Sequence, residues 1–149
     1  YGFVFARRGI VPEACSSWFL PRLVGVPTSL DWIYSGRVFD ANEAKEKGLV
    51  QSVHASEDLV PAAIELAHKV TEKSAPVSIA VSRQMIWRMM GAPHPMDAHR
   101  IDSRGIQTRG ASTDVKEGIS SFMEKRDAIF PNTVSADMPD IFPADAQFE

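Results

Sequence analysis

Prolines and glycines fall at helix-length intervals along this chain, a punctuation that favours short helices joined by tight breaks. Trp18, Phe19, Leu20, Leu23 and Val24 repeat at a three-to-four spacing, broken by Pro21 and stopped by Gly25. Pro27 suits the first position of a second helix through Leu30, Trp32, Ile33 and Tyr34, which Gly36 ends. Asp40 followed by Glu43 predicts a capped start to a short third helix, and Gly48 closes it. Ser56 is read as the cap of a longer helix with Leu59, Ala62, Ala63, Leu66 and Val70 on one face. Its Pro61 is tolerable because it falls in the first turns. Pro76 opens another helix, whose apolar face is read as Ile79, Ala80, Met85, Ile86, Met89 and Met90. The run Gly91-Ala92-Pro93-His94-Pro95 is a clear break. Met96 to Arg109 reads as a polar helix anchored by Ile101 and Ile106. Asp114 to Phe130 is amphipathic through Val115, Ile119, Phe122, Met123 and Ile129.

Extended structure has few candidates. Tyr1 to Ala6 is β-branched and aromatic and predicts a short strand, although a lone strand is not stable in water. Leu49 to His54 alternates weakly and reads as a short strand or an extended exit. Residues 131–149 hold Pro131, Pro139 and Pro143, four acids and no Lys or Arg, which predicts an extended tail. Its Phe142 and Phe148 are suited to docking on another surface. The chain thus divides into residues 1–55, a helical stretch 56–130 and the acidic tail 131–149.

The composition excludes several classes. With 149 residues, 44% of them hydrophobic and 23% charged, the chain suits one ordinary globular domain. A net charge of −3 with interspersed signs gives no broad basic surface for nucleic acid or an anionic membrane. No apolar run approaches the roughly 20 residues of a membrane span, and Arg7 and Arg8 interrupt any signal-like start. One cysteine, Cys15, excludes an internal disulfide framework and fits a reducing, cytoplasmic setting. Tyr1 reads as mid-strand, with no initiator Met, so the natural chain is expected to begin earlier.

The candidate for chemistry is Glu13, set between Pro12 and the small residues Ala14-Cys15-Ser16-Ser17. If the fold buries it, desolvation raises its pKa toward a value useful for moving protons; at a helix start, the dipole acts the other way. A plain first-turn acid is the alternative. His54, His68, His94 and His99 lack metal-ligand spacing, and no metal is expected. Cys15, with no partner histidine at a familiar distance, reads as a small packing residue. Met85, Met89 and Met90 read as core.

Three ordered blocks resemble the crotonase (enoyl-CoA hydratase/isomerase) superfamily. They are Gly9-Ile10-Val11-Pro12 leading to Leu20-Pro21-Arg22-Leu23-Val24-Gly25; Ser35-Gly36-Arg37 with Glu43-Ala44-Lys45 and Gly48-Leu49-Val50; and Lys116-Glu117-Gly118 with Phe122-Met123-Glu124-Lys125-Arg126. The resemblance covers about residues 1–130 and implies an α/β fold: the C-terminal part of the family's ββα spiral, mostly helical here, with a helical trimerisation region. On this likeness, residues 1–55 end the spiral core. A homotrimer or hexamer follows from it, as does a need for the N-terminal half of the fold, and coenzyme A enters as part of the substrate with no separate cofactor.

Family chemistry runs through an enolate-like thioester intermediate held by two N–H groups. Hydratases resembling this chain carry a glutamate where Phe5 stands, and a glycine-rich turn where Glu13-Ala14-Cys15-Ser16-Ser17 stands. The sequence Pro12-Glu13 followed by small residues and Ser16-Ser17 is instead similar to Δ3,Δ2-enoyl-CoA isomerases. The likeness therefore implies that Glu13 shuttles a proton, with Phe5, Pro12, Ala14, Trp18 and Phe122 near the acyl group and Lys125 near the CoA phosphates. Solvated helix faces are the alternative for Phe122 and Lys125. An acyl-CoA hydratase, a non-catalytic CoA-binding or assembly subunit, and an unrelated helical adaptor are the competing readings.

Overall fold

The computed structural model describes residues 1–142, which fall into two compact units joined within one helix, Tyr1–Ala63 and Ile64 onward.

Aromatic stacking organises the first unit. Trp32 is fully buried and lies 4.0 Å from Phe39, ring to ring at 14°, with Phe3 stacked on it at 5.9 Å. Leu20 and Ala44 complete the buried set, and Val24, Ile33, Leu49 and Val50 pack against it. The predicted N-terminal strand reduces to one antiparallel bridge, Gly2 with Val38. Tyr1 and Phe39 exchange backbone hydrogen bonds of 2.9 Å each way. The chain then turns through a short 3-10 segment, Ala6–Arg8. The β propensity of Tyr1 to Ala6 is local, and among the described residues only Val38 and Phe39 answer it; the hexapeptide is held by its rings.

Helix α1 (Ser16–Ser35) runs through Pro21, where the sequence predicted a break, and bends at Gly25 (φ 78, ψ 160). Gly25 adopts a conformation open to glycine alone, and Pro27 then restarts the helix. Ser29 Oγ donates to the Gly25 carbonyl at 2.8 Å, one turn back across the restart of the helix. At the other end Gly36 is left-handed (φ 52) and lies under Arg7, where a Cβ would fall 2.8 Å from the Arg7 Cγ. Arg7 Nε donates to the Ser35 carbonyl at 2.6 Å, placing a cation at the negative end of α1. Helix α2 (Ala41–Glu46) begins as predicted: the Asp40 carboxylate accepts from the Glu43 N–H at 2.8 Å, and left-handed Gly48 follows its end. Residues 52–55 form the extended exit and pair with no strand among the described residues.

Helix α3 (Leu59–Thr71) carries the boundary between the units and buries none of its residues. In the second unit, α4 (Pro76–Met89) presents Val77 and Val81 to a core shared with Ile101 of α5 (Pro95–Gly110) and with Ile141. Met85 and Met89 continue that row at i+4 spacing, whereas Ile86 and Met90 are exposed. The face predicted for α4 is thus rotated, because the valines occupy the inner row. His94 caps α5 through Nδ1, which accepts from the Met96 N–H at 3.1 Å.

Helix α6 (Thr113–Glu124) stops six residues short of the predicted Phe130. Lys125 is left-handed (φ 55), and the Arg126 N–H turns back to the Ser121 carbonyl at 3.0 Å. Arg126 and Glu117 then clasp the returning chain at 2.5 and 3.0 Å, and Glu117 also accepts from the Ile129 N–H at 2.8 Å. These bonds, led by Arg126, push the Glu117 carboxyl down to about 2. Buried Asp114 pairs with Arg109 at 2.5 Å and accepts from the Asn132 N–H at 3.0 Å, tying the next segment to α6.

Residues 131–142 are not the extended tail that their prolines and acids predict. They form the short helix α7 (Val134–Asp137), and Ile141 inserts to 1% exposure against α4 and α5. Gly105 faces it closely: a Cβ there would sit 3.6 Å from the Ile141 Cδ1, at ordinary van der Waals contact. Phe142 docks, as expected, under Arg88 at 4.0 Å. The same expectation for Phe148 lies outside the described residues. Among the described residues no helix is long and apolar enough to cross a membrane.

Candidate active site

Glu13 sits three residues before α1, in a turn tied by its own backbone. Its carbonyl accepts from the Ser16 N–H at 3.0 Å and from Ser16 Oγ at 2.6 Å. Ala14 (φ 51) and Cys15 (φ 56) are both left-handed, a conformation that costs a residue with a side chain about 1–2 kcal/mol. Two consecutive strained positions next to the candidate acid are the local signature that sequence reasoning missed. The substitution of alanine for a glycine-rich turn was its only trace. Cys15 is exposed rather than packed, because it is the residue that enters the helix in the left-handed conformation.

Glu13 is itself exposed, so the burial considered from sequence is not supplied by this unit. Its carboxylate makes no hydrogen bond or ion pair among the described residues. Pro12 is half-buried and Ala14 exposed beside it. Trp18, at the third position of α1, is 40% exposed and carries the Arg22 guanidinium 3.3 Å over its ring. Pro12, Glu13, Ala14 and Trp18 are therefore gathered on one helix entrance. Phe5 is half-buried and tilts against Phe3 at 6.5 Å, an apolar group built into the aromatic cluster.

The remaining sequence candidates belong to the second unit. Phe122 is 80% exposed on α6, and Lys125 is exposed at the left-handed turn that ends it. Ile119, Met123 and Ile129 are exposed along the same region.

A different fate meets the acid of the second sequence block. Glu43 accepts from the Trp32 Nε1–H at 2.9 Å and from Arg37 through both carboxylate oxygens. Arg37 foremost, and Trp32 after it, push this carboxyl down to about 2. Arg37 also reaches Asp31 at 3.0 Å and has its own pKa raised by the two acids. Glu43 is thus a structural anion, fully engaged in holding α2 to α1.

The chain as a whole has counterparts among known proteins. The enoyl-CoA hydratase/isomerase family model matches residues 1–133, and the chain belongs to that family, the crotonase superfamily. It is 35% identical over 133 residues to the enoyl-CoA hydratase AFT3-1 of Alternaria alternata, covering 89% of this chain and 44% of that protein. It is 29% identical over 136 residues to the enoyl-CoA isomerase/hydratase fer4 of Mycosarcoma maydis, covering 87% and 46%. The crystal structure of an enoyl-CoA hydratase from Bacillus anthracis superposes with a TM-score of 0.77 at 29% identity, over 87% of this chain and 49% of that one. The chain therefore spans about half the length of the relatives it matches, and carries the mostly helical part of the crotonase fold expected from its sequence.

Proposed function

We propose that the whole protein shifts a double bond in an unsaturated fatty acyl-CoA, with Glu13 as its single proton carrier. The observation that carries this reading is the Glu13 carboxylate, unpartnered among the described residues and held on a turn that its own carbonyl pins to Ser16. In a 3-enoyl thioester the protons on the second carbon are acidified by the carbonyl. Glu13 removes one of them, the electron pair delocalises into the thioester as an enolate, and the neutral acid then returns the proton to the fourth carbon. The double bond ends between the second and third carbons. No water, metal or cofactor enters the balance, and coenzyme A serves only as the substrate's handle.

Phe5 supports the single-acid version. A phenyl ring at the position where similar hydratases carry a carboxylate has no lone pair with which to orient a water. A positioned general base is commonly worth 10²–10⁴-fold in rate. Glu13→Gln in the full-length protein should lower turnover of 3-enoyl thioesters by about that factor while leaving the assembly intact. Near-normal turnover would remove Glu13 from the mechanism. Addition of water to 2-enoyl thioesters without bond migration would select the hydratase reading. Binding of acetyl-CoA in calorimetry with no turnover of either thioester would select a non-catalytic CoA-binding or assembly subunit.

The exposed apolar residues Phe122, Met123, Ile119 and Ile129 support assembly as a homotrimer or hexamer, with Phe122 and Lys125 reaching the acyl tail and CoA phosphates of a neighbouring site. Light scattering on the full-length protein checks this directly; a monomeric mass rejects it.

A further inference from the structure

We propose that Arg22 is a positioning residue that holds the Trp18 indole as a wall beside Glu13, and that this wall governs which acyl chains the site accepts. The inference rests on the reading of Glu13 given above and names the specificity element of that same site.

Trp18 is the third residue of α1, and its N–H donates to the Cys15 carbonyl at 2.9 Å. A side chain on a helix leans back over the turn that precedes its own Cα. For Trp18 that turn contains Ala14 and Cys15, adjoining Glu13. An indole this close to a helix start has little preceding helix to restrict its rotamer. Arg22, one turn further on, supplies the restriction twice. Its Nη1 donates to the Trp18 carbonyl at 2.9 Å, and its guanidinium carbon lies 3.3 Å over the indole. The first contact fixes where the guanidinium stands, and the second fixes the ring under it.

The outcome is a large aromatic plane that is immobilised yet still 40% exposed. A guanidinium on one face leaves the rest of the ring available to apolar matter. Hydrocarbon of an acyl chain is the substrate component that such a plane accommodates, and a fixed plane discriminates by length and branching better than a mobile one. Arg22 meets no reacting atom in this arrangement and acts only through Trp18.

The test uses the full-length protein with Arg22→Ala, Arg22→Lys, Trp18→Leu and the double variant Trp18→Leu/Arg22→Ala, assayed with short, medium and long 3-enoyl thioesters. Arg22→Ala should raise KM for the longer chains about two- to tenfold, the range that a cation–π contact can supply, with a larger effect on KM than on kcat. Arg22→Lys should recover part of the loss. In the Trp18→Leu background the Arg22 substitution should add nothing, because its effect passes through the ring. Trp18 fluorescence anisotropy, taken as the difference from the Trp18→Leu chain, should fall in Arg22→Ala. An unaltered chain-length profile, or effects that simply add in the double variant, would overturn this inference and leave the role of Glu13 standing. A wild-type protein that turns over neither thioester would overturn the function itself and the specificity drawn from it.

Discussion

Two glutamates in the first unit stand in opposite circumstances. Glu43, on α2, is gripped by Arg37 and by the indole N–H of Trp32. Glu13, at the entrance to α1, has its backbone tied down and its carboxylate left alone. One carboxylate accepts three hydrogen bonds that secure the fold; the other accepts none among the described residues. On the proposed mechanism the contrast separates stability from reactivity: the paired acid secures the helices, and the acid at the α1 entrance stays available to substrate.

The largest effect expected from this contrast is kinetic. Glu13→Gln should remove most turnover and shift the unfolding midpoint little, since an exposed side chain without partners contributes within about 0.5 kcal/mol. Trp32→Ala should do the reverse to the fold, destabilising it by about 3–5 kcal/mol because it removes the fully buried ring on which Phe3 and Phe39 stack. Denaturant titration of the two variants sharpens the comparison, and equal midpoints would break it.

A pH effect comes next. The Glu43 and Glu117 carboxyls both titrate near 2 in the folded chain, against an ordinary 4.5. A depressed folded value means that the unfolded chain binds the proton first. The stability contributed by these pairs is therefore full above about 4.5 and is lost as pH falls from there toward about 2. Glu43→Gln should flatten part of that acid limb in thermal melts between pH 5 and pH 2, on the order of the window just given. An acid limb as steep as that of the parent would show that the Arg37 pairing adds nothing to the fold.

The smallest effect is expected at the strained turn. Ala14→Gly should raise stability by up to about 1 kcal/mol, the relief of a left-handed alanine less the extra freedom that glycine loses on folding. A lower midpoint would mean that the Ala14 methyl makes contacts outweighing its strain.

Signals confined to a few neighbouring residues proved legible in the sequence. The Asp40 cap, the Gly36 and Gly48 exits, Pro27 and Pro76 at helix starts all act within one turn of themselves, and each stands where it was expected. Features that depend on distant partners were not legible. Tyr1 to Ala6 has the composition of a strand, but its shape is decided by Trp32 and Phe39, more than 25 residues away. The inner row of α4 follows Val77 and Val81 because Ile101 and Ile141 lie opposite them. Ile141 looked like one apolar residue in an acidic, proline-rich stretch, and its place is made by Val77, Val81 and Ile101, all at least 40 residues earlier. At the candidate site, Glu13 could be singled out because its neighbours form a recognisable motif. The left-handed pair after it could not, since neither alanine nor cysteine advertises that backbone.

The bend at Gly25 carries a mechanical corollary. Ahead of it, the front portion of α1 bears Trp18 and Arg22 and leads directly from Glu13; behind it, Trp32 clamps the rear portion into the aromatic stack. Leu20 and Val24 of the front portion are seated in that same cluster, so a substitution near residues 25–29 that changes the angle carries its strain directly into the ring stack.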